Sequence, residues 1–158
     1  MNTKQLILLD NNVIDKICSL KKPSSIQYAI TARSSIDNPD YLSKYKELKV
    51  IPSVARFGHS IWGGGEVWGS DESTKLSNDL LALGANQKVI KEVGKQTTHN
   101  QRDDADIMTA AFVNSCSVLV SDDKKFMLKS DVVTLMRKYG VSVISSEDYI
   151  SGILTRES

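Results

Sequence analysis

Four short apolar runs punctuate the chain: Leu6 to Leu9, Val50 with Ile51, Ser117 to Val120, and Val141 to Ile144. Apart from Ser142 in the last, no polar residue interrupts them, and short runs of this kind are how strands buried on both faces of a parallel sheet read. Between them, apolar residues recur at helical spacing in Asn12 to Leu20, Ser25 to Ser35, Ser53 to Trp62, Ser73 to Leu83, Ala105 to Ser115 and Val132 to Tyr139. Strands separated by helices predict an α/β fold in which a mostly parallel central sheet is flanked by helices and joined by right-handed crossovers. Pro23 ends the first helical region and Pro39 falls in the turn-like SIDNPDY. Neither reads as a linker, so 1–158 is expected to form one domain.

Charge and cysteine content narrow the picture by exclusion. Twenty basic residues against nineteen acidic ones leave a net charge of +1, so no global field draws nucleic acid or an anionic membrane, and any polyanion must find a local patch. Cys18 and Cys116 lie far apart inside apolar stretches, where a thiol packs as a small hydrophobe; this predicts a reducing, cytoplasmic setting without a structural disulfide. The segment MNTKQLILLDNNV lacks the h-region and cleavage pattern of a signal peptide, and no segment approaches the roughly 20 apolar residues that cross a bilayer.

The acids are placed more pointedly. The first apolar run stops at Asp10, and the third passes through Ser121 into Asp122 and Asp123. In parallel sheets the carboxyl ends of strands are where ligands bind. Asp10 alone is explained by a helix N-cap, worth about 1 kcal/mol. Two acids at the exits of two strands need more, because unit charges about 4 Å apart repel by about 4 kcal/mol at an effective dielectric near 20, which calls for a cation, a shared proton or extra donors. In DDADIMTAA, Asp103 and Asp106 have the spacing of a capping box. Asp104 instead shares a helix face with Ile107, Met108 and Ala111, so it is expected to point inward toward Asp10 and Asp123, while Asp103 does not. Three converging carboxylates suit Mg²⁺ or Mn²⁺, and such a centre activates water against a phosphodiester.

Three motifs in order carry a resemblance: LLDNNV, DADIMTAA and LVSDDKKF. Together they resemble the PIN-domain family, small α/β metal-dependent nucleases that include the toxin ribonucleases of bacterial toxin-antitoxin pairs. The resemblance implies that Asp10, Asp104 and Asp123 coordinate the metal and carry catalysis. It also implies that Asn12 orients the first acid or the substrate phosphate, and that Ser121 hydrogen-bonds within the cluster. The implied partners are an RNA substrate, an antitoxin protein and a second copy in a homodimer. The sequence departs from the family at one point: where a further Glu is usual stand Arg56, Phe57 and Gly58, with Glu66 and Asp71 farther on, and Asp106 two residues beyond Asp104, as substitute acids. That departure frames an alternative, a catalytically degenerate PIN-like module that binds protein or RNA.

Weaker signals remain. FGHSIWGGGEVWGS sets three glycines between Trp62 and Trp68, a loop whose aromatics could stack on bases or pack on the core. His59 and His99 lack metal spacing, while Arg102, Lys124 and Lys125 could flank the acids and meet RNA phosphates or simply face solvent.

Overall fold

The computed structural model describes residues 4–52, 54–55, 67–68, 71–83, 90–92, 95–97 and 99–154. The first apolar run forms β1 (Gln5–Leu9), followed by a 3₁₀ turn over Asn11–Val13 and the short helix α1 (Ile14–Cys18). Next come β2 (Ile26–Thr31), α2 (Ala32–Asp37), α3 (Asp40–Lys44) and β3 (Lys49–Ile51). Two small pairs follow: β4 (Val54–Ala55) runs parallel to β5 (Val67–Trp68), and beyond α4 (Asp71–Ala82), β6 (Ile90–Glu92) runs antiparallel to β7 (Lys95–Thr97). The last part comprises α5 (His99–Val113), β8 (Val118–Val120), α6 (Ser130–Lys138), β9 (Ser142–Ile144) and α7 (Ser146–Asp148), continued by a π-helical turn over Tyr149–Leu154.

The central sheet has the order β3-β2-β1-β8-β9, and all its pairings are parallel. Ile7, Leu8 and Leu9 are buried in succession, as a strand covered on both faces requires. Leu8 packs on one side with Leu76 and Leu80 of α4, Met108 and Ala111 of α5, and Val132 and Met136 of α6. Ile7 and Leu9 pack on the other with Val13, Ile14, Ile17 and Tyr149. Alternate residues of one strand therefore belong to two separate cores, which makes a three-layer α/β architecture with the sheet in the middle. On the second face the Tyr28 and Tyr149 hydroxyls hydrogen-bond at 2.9 Å, which satisfies both polar ends inside an apolar layer.

Two helix ends are closed by the same device. Val141 N donates to Met136 O and Gly140 N to Arg137 O, while Cys116 N donates to Ala111 O and Ser115 N to Phe112 O. Both are Schellman motifs, and both need a left-handed residue, supplied by Gly140 at φ 82° and by Ser115 at φ 58°. Each feeds the chain into the next strand of the sheet.

One expectation is corrected. The segment read as helix over Ser25 to Ser35 is β2 followed by α2. Ile26, Ala29 and Ile30 mimic helical spacing, but strand-favouring Ile, Tyr and Thr, paired on both sides with β1 and β3, decide the conformation. The helix expected from Ser53 to Trp62 falls largely outside the described residues, and its described part, Val54–Ala55, is strand.

Among the described residues no helix is long and apolar enough to cross a membrane.

Candidate functional site

Connections leave β1 in opposite directions across the sheet, first to β2 and later to β8, so the crevice at the carboxyl ends of β1 and β8 is the topological switch point where α/β sheets hold ligands. Asp10 sits there, immediately after β1. Its backbone N donates to Val120 O at 3.0 Å, which sews the two strand exits together. Its carboxylate is 8% exposed and caps the 3₁₀ turn, accepting from Asn11 N at 2.9 Å, while Ser121 Oγ donates to its other oxygen at 2.8 Å. Burial pushes the Asp10 carboxyl up from its ordinary value; the two hydrogen bonds oppose the shift, and the charges of Asp123 and Asp122 add to it.

Ser121, fully buried, is the pivot between the acids. Its Oγ gives its proton to Asp10 and accepts from Asp123 N at 3.1 Å. The Asp123 carboxylate is half-buried and folds back over its own loop, accepting from Lys125 N at 3.0 Å, Phe126 N at 3.3 Å and Met127 N at 3.5 Å. Those bonds fix it beside Ser121 and still leave lone pairs, since a carboxylate offers about four acceptor sites.

Asn12 is exposed, and its Oδ1 accepts from Asp122 N at 3.3 Å, so it joins the β1 exit to the β8 exit by holding the backbone. Asp122, which the sequence left without a role, accepts as many hydrogen bonds as Asp123 and takes them from other elements. It accepts from Ser146 N at 2.8 Å, Ser146 Oγ at 2.7 Å and the Lys16 ammonium at 3.1 Å, tying β8 to α7 and to α1. Desolvation alone raises its carboxyl, but the Ser146 and Lys16 bonds outweigh that and hold it below the usual carboxylate range. Its partners lie 106 and 24 residues away, so no local spacing could have revealed them.

Helix α5 departs from expectation in two ways. It begins at His99, so Asp103 is an interior residue and not the helix start that the capping-box reading requires; the polar stretch HNQR continues the helix instead of preceding it. Asp106 is also buried, at 9% exposure, whereas Asp104 is half-buried. The reason is that residues 105–111 are all buried, so α5 has no single inward stripe. Asp104 and Asp106 each engage another group of the protein. The Asp103 side chain, the Arg56 to Gly58 stretch, His59 and Glu66 lie outside what is described, as do the triple-glycine segment and the side chains of Asp71, Trp68 and His99.

The structure thus brings together Asp10, Asn12, Ser121 and Asp123, with Asp122 added; among the described residues, Asp123 and Asp122 act on the charge of Asp10. Among the described residues no three His, Cys, Asp or Glu side chains close in far enough to hold a metal by themselves. One further donor stands at the crevice: Asn11 Oδ1 is buried and has no hydrogen-bond partner. A buried, partnerless oxygen next to a buried carboxylate suits an oxygen-seeking cation. In donor chemistry, though not as a closed ligand set, the crevice fits Mg²⁺ or Mn²⁺.

No family model, curated protein or solved structure matches this chain.

Proposed function

We propose that the chain is a PIN-like, metal-dependent endoribonuclease, the toxin of a toxin-antitoxin pair, that hydrolyses RNA phosphodiester bonds at the β1–β8 crevice. The observation that carries this reading is Asp10: a buried carboxylate at a topological switch point, bonded through Ser121 to the loop of Asp123, with burial opposing its charge. Such a group is costly to keep unless a cation or a reacting proton uses it.

In this reading Asp10 and Asp123 hold Mg²⁺ or Mn²⁺, with Asn11 Oδ1 at hand and Asp104 contributed by α5. The bound ion supplies a water of lowered pKa and charge neutralisation at the phosphate. Ser121 keeps the Asp10 carboxylate oriented by donating to one of its oxygens. Asn12 and Asp122 hold the two strand exits at a fixed separation. An antitoxin would act by covering this crevice, and pairing of two copies would complete the resemblance to the family.

The test is cleavage of a labelled RNA with and without EDTA by the wild type and Asp10→Asn. Metal-dependent cleavage that Asp10→Asn abolishes is expected; cleavage unaffected by EDTA, or none by either protein, overturns the mechanism.

A second reading, a degenerate module that binds protein or RNA without cutting, is favoured by the engagement of Asp123 with three backbone N–H groups and of Asp122 with Lys16. Thermal melting against Mn²⁺ separates the two: stabilisation at millimolar metal supports the nuclease, and none supports the module.

A further inference from the structure

The opposite edge of the sheet carries the opposite charge. Lys4 directly precedes β1, Lys21 and Lys22 precede β2, and Lys44 and Lys46 precede β3. These strands are neighbours in the order β3-β2-β1, so five lysines from the segments that lead into them meet where the strands begin, around a cleft of about 650 Å³ whose only lining carboxylate among the described residues is Glu47. A second cleft, of about 580 Å³, shares Lys4 and is walled by Lys49, Asn114 and Ser115. The first opens beside Tyr28 of one core and the second beside Leu6, which packs against the other, so the two clefts run over the sheet's edge from face to face with Lys4 at the saddle.

Some of this charge already has a role. Lys22 Nζ donates to Ile26 O at 2.7 Å, and Lys44 Nζ donates to the Asp15 carboxylate at 3.0 Å while lying over the Tyr45 ring. Lys4, Lys21, Lys46 and Lys49 are exposed, and no described carboxylate lies within ion-pair distance of any of them. In a chain with a net charge of only +1, this concentration is a local feature that the overall composition hides.

We infer that the amino edge of the sheet binds the phosphodiester backbone of a single-stranded nucleic acid. Ammonium groups on long side chains, spaced along two clefts that share Lys4, suit a row of phosphates rather than one, and lysines act as point charges that position a backbone without reading its bases. The inference rests on the nuclease reading only for its biological sense: a chain held at this edge is anchored away from the acids at the far ends of the same strands.

The test titrates fluorescein-labelled 20-nucleotide RNA and DNA of the same sequence with the wild type in EDTA, by anisotropy at several salt concentrations. Lys21→Ala/Lys46→Ala is compared with Lys129→Ala/Lys138→Ala, an equal loss of charge around α6. The first pair is expected to weaken binding roughly tenfold at low salt and to lower the slope of log K against log salt by about 1.4, since each lysine lost to a single strand contributes about 0.7. The second pair is expected to change neither. Equal binding of RNA and DNA identifies the backbone alone as the ligand, and tighter RNA binding with the same lysine dependence identifies an RNA source. An unchanged slope, an equal loss in both double variants, or tripolyphosphate binding as tightly as the 20-nucleotide strand overturns the inference. Because metal is withheld, this outcome is independent of whether the acids cut.

Discussion

At the scale of single residues, Asp10 sets function against stability. Its carboxyl is raised in the folded protein, so its contribution is present below the unfolded value near 3.8 and is lost as pH rises through the folded value. In metal-free protein, Asp10→Asn is therefore expected to melt above the wild type at pH 7, with the gap closing toward pH 4; a variant that melts lower at neutral pH contradicts this account. Ser121→Ala should cost about 1–3 kcal/mol in chemical denaturation, because it strips a donor from Asp10 and leaves the buried end of the Asp123 loop short of an acceptor. The Lys16–Asp122 pair is a different matter, with the lysine side chain 56% exposed. Lys16→Ala should cost under about 1 kcal/mol, whereas Ser146 supplies the bonds that anchor Asp122. Asp10, Ser121 and Asp123 could be read from the sequence because each stands at the end of an apolar run. Asp122 could not, because its significance lies in partners on other elements.

At the scale of elements, the two Schellman motifs offer a controlled comparison. A Cβ added at Gly140 meets nothing within 4 Å, so Gly140→Ala isolates the backbone penalty of a left-handed alanine, about 1–2 kcal/mol of destabilisation. Ser115 already bears that strain, and Ser115→Gly is expected to stabilise the protein by up to about 1 kcal/mol, the remainder being offset by the greater freedom of glycine in the unfolded chain. Opposite signs in parallel urea titrations are the expected result. The four sheet strands that the sequence reveals carry short, mainly apolar runs, and β2 escaped because Ile26, Ala29 and Ile30 fall at helical intervals. Helix α5 was legible in its apolar half and not at its start, where polar residues carry no periodic signal.

At the scale of the whole molecule, the thiols report on how well the two cores exclude water. Burial pushes Cys18 up to about 11 and Cys116 up to about 12, so neither forms an appreciable thiolate near neutrality despite the lysines around Cys18. Alkylation by iodoacetamide at pH 7.5 is expected to proceed at least tenfold slower in the native protein than in urea, and at a rate near that of a free thiol only if the cores are open. The pairing of β1 with β8 has a consequence during synthesis. Residues 7 and 8 pair early with β2, but β1 meets its β8 partners only at 118–120, and the loop of Asp122 is held from Ser146, so the crevice cannot assemble until those residues have left the ribosome. A nascent polypeptide that stops before residue 121 carries Asp10 without Ser121 and Asp123 beside it. If the finished protein cuts RNA, the cell that makes it is spared the nuclease on every ribosome that has not yet made the loop after β8.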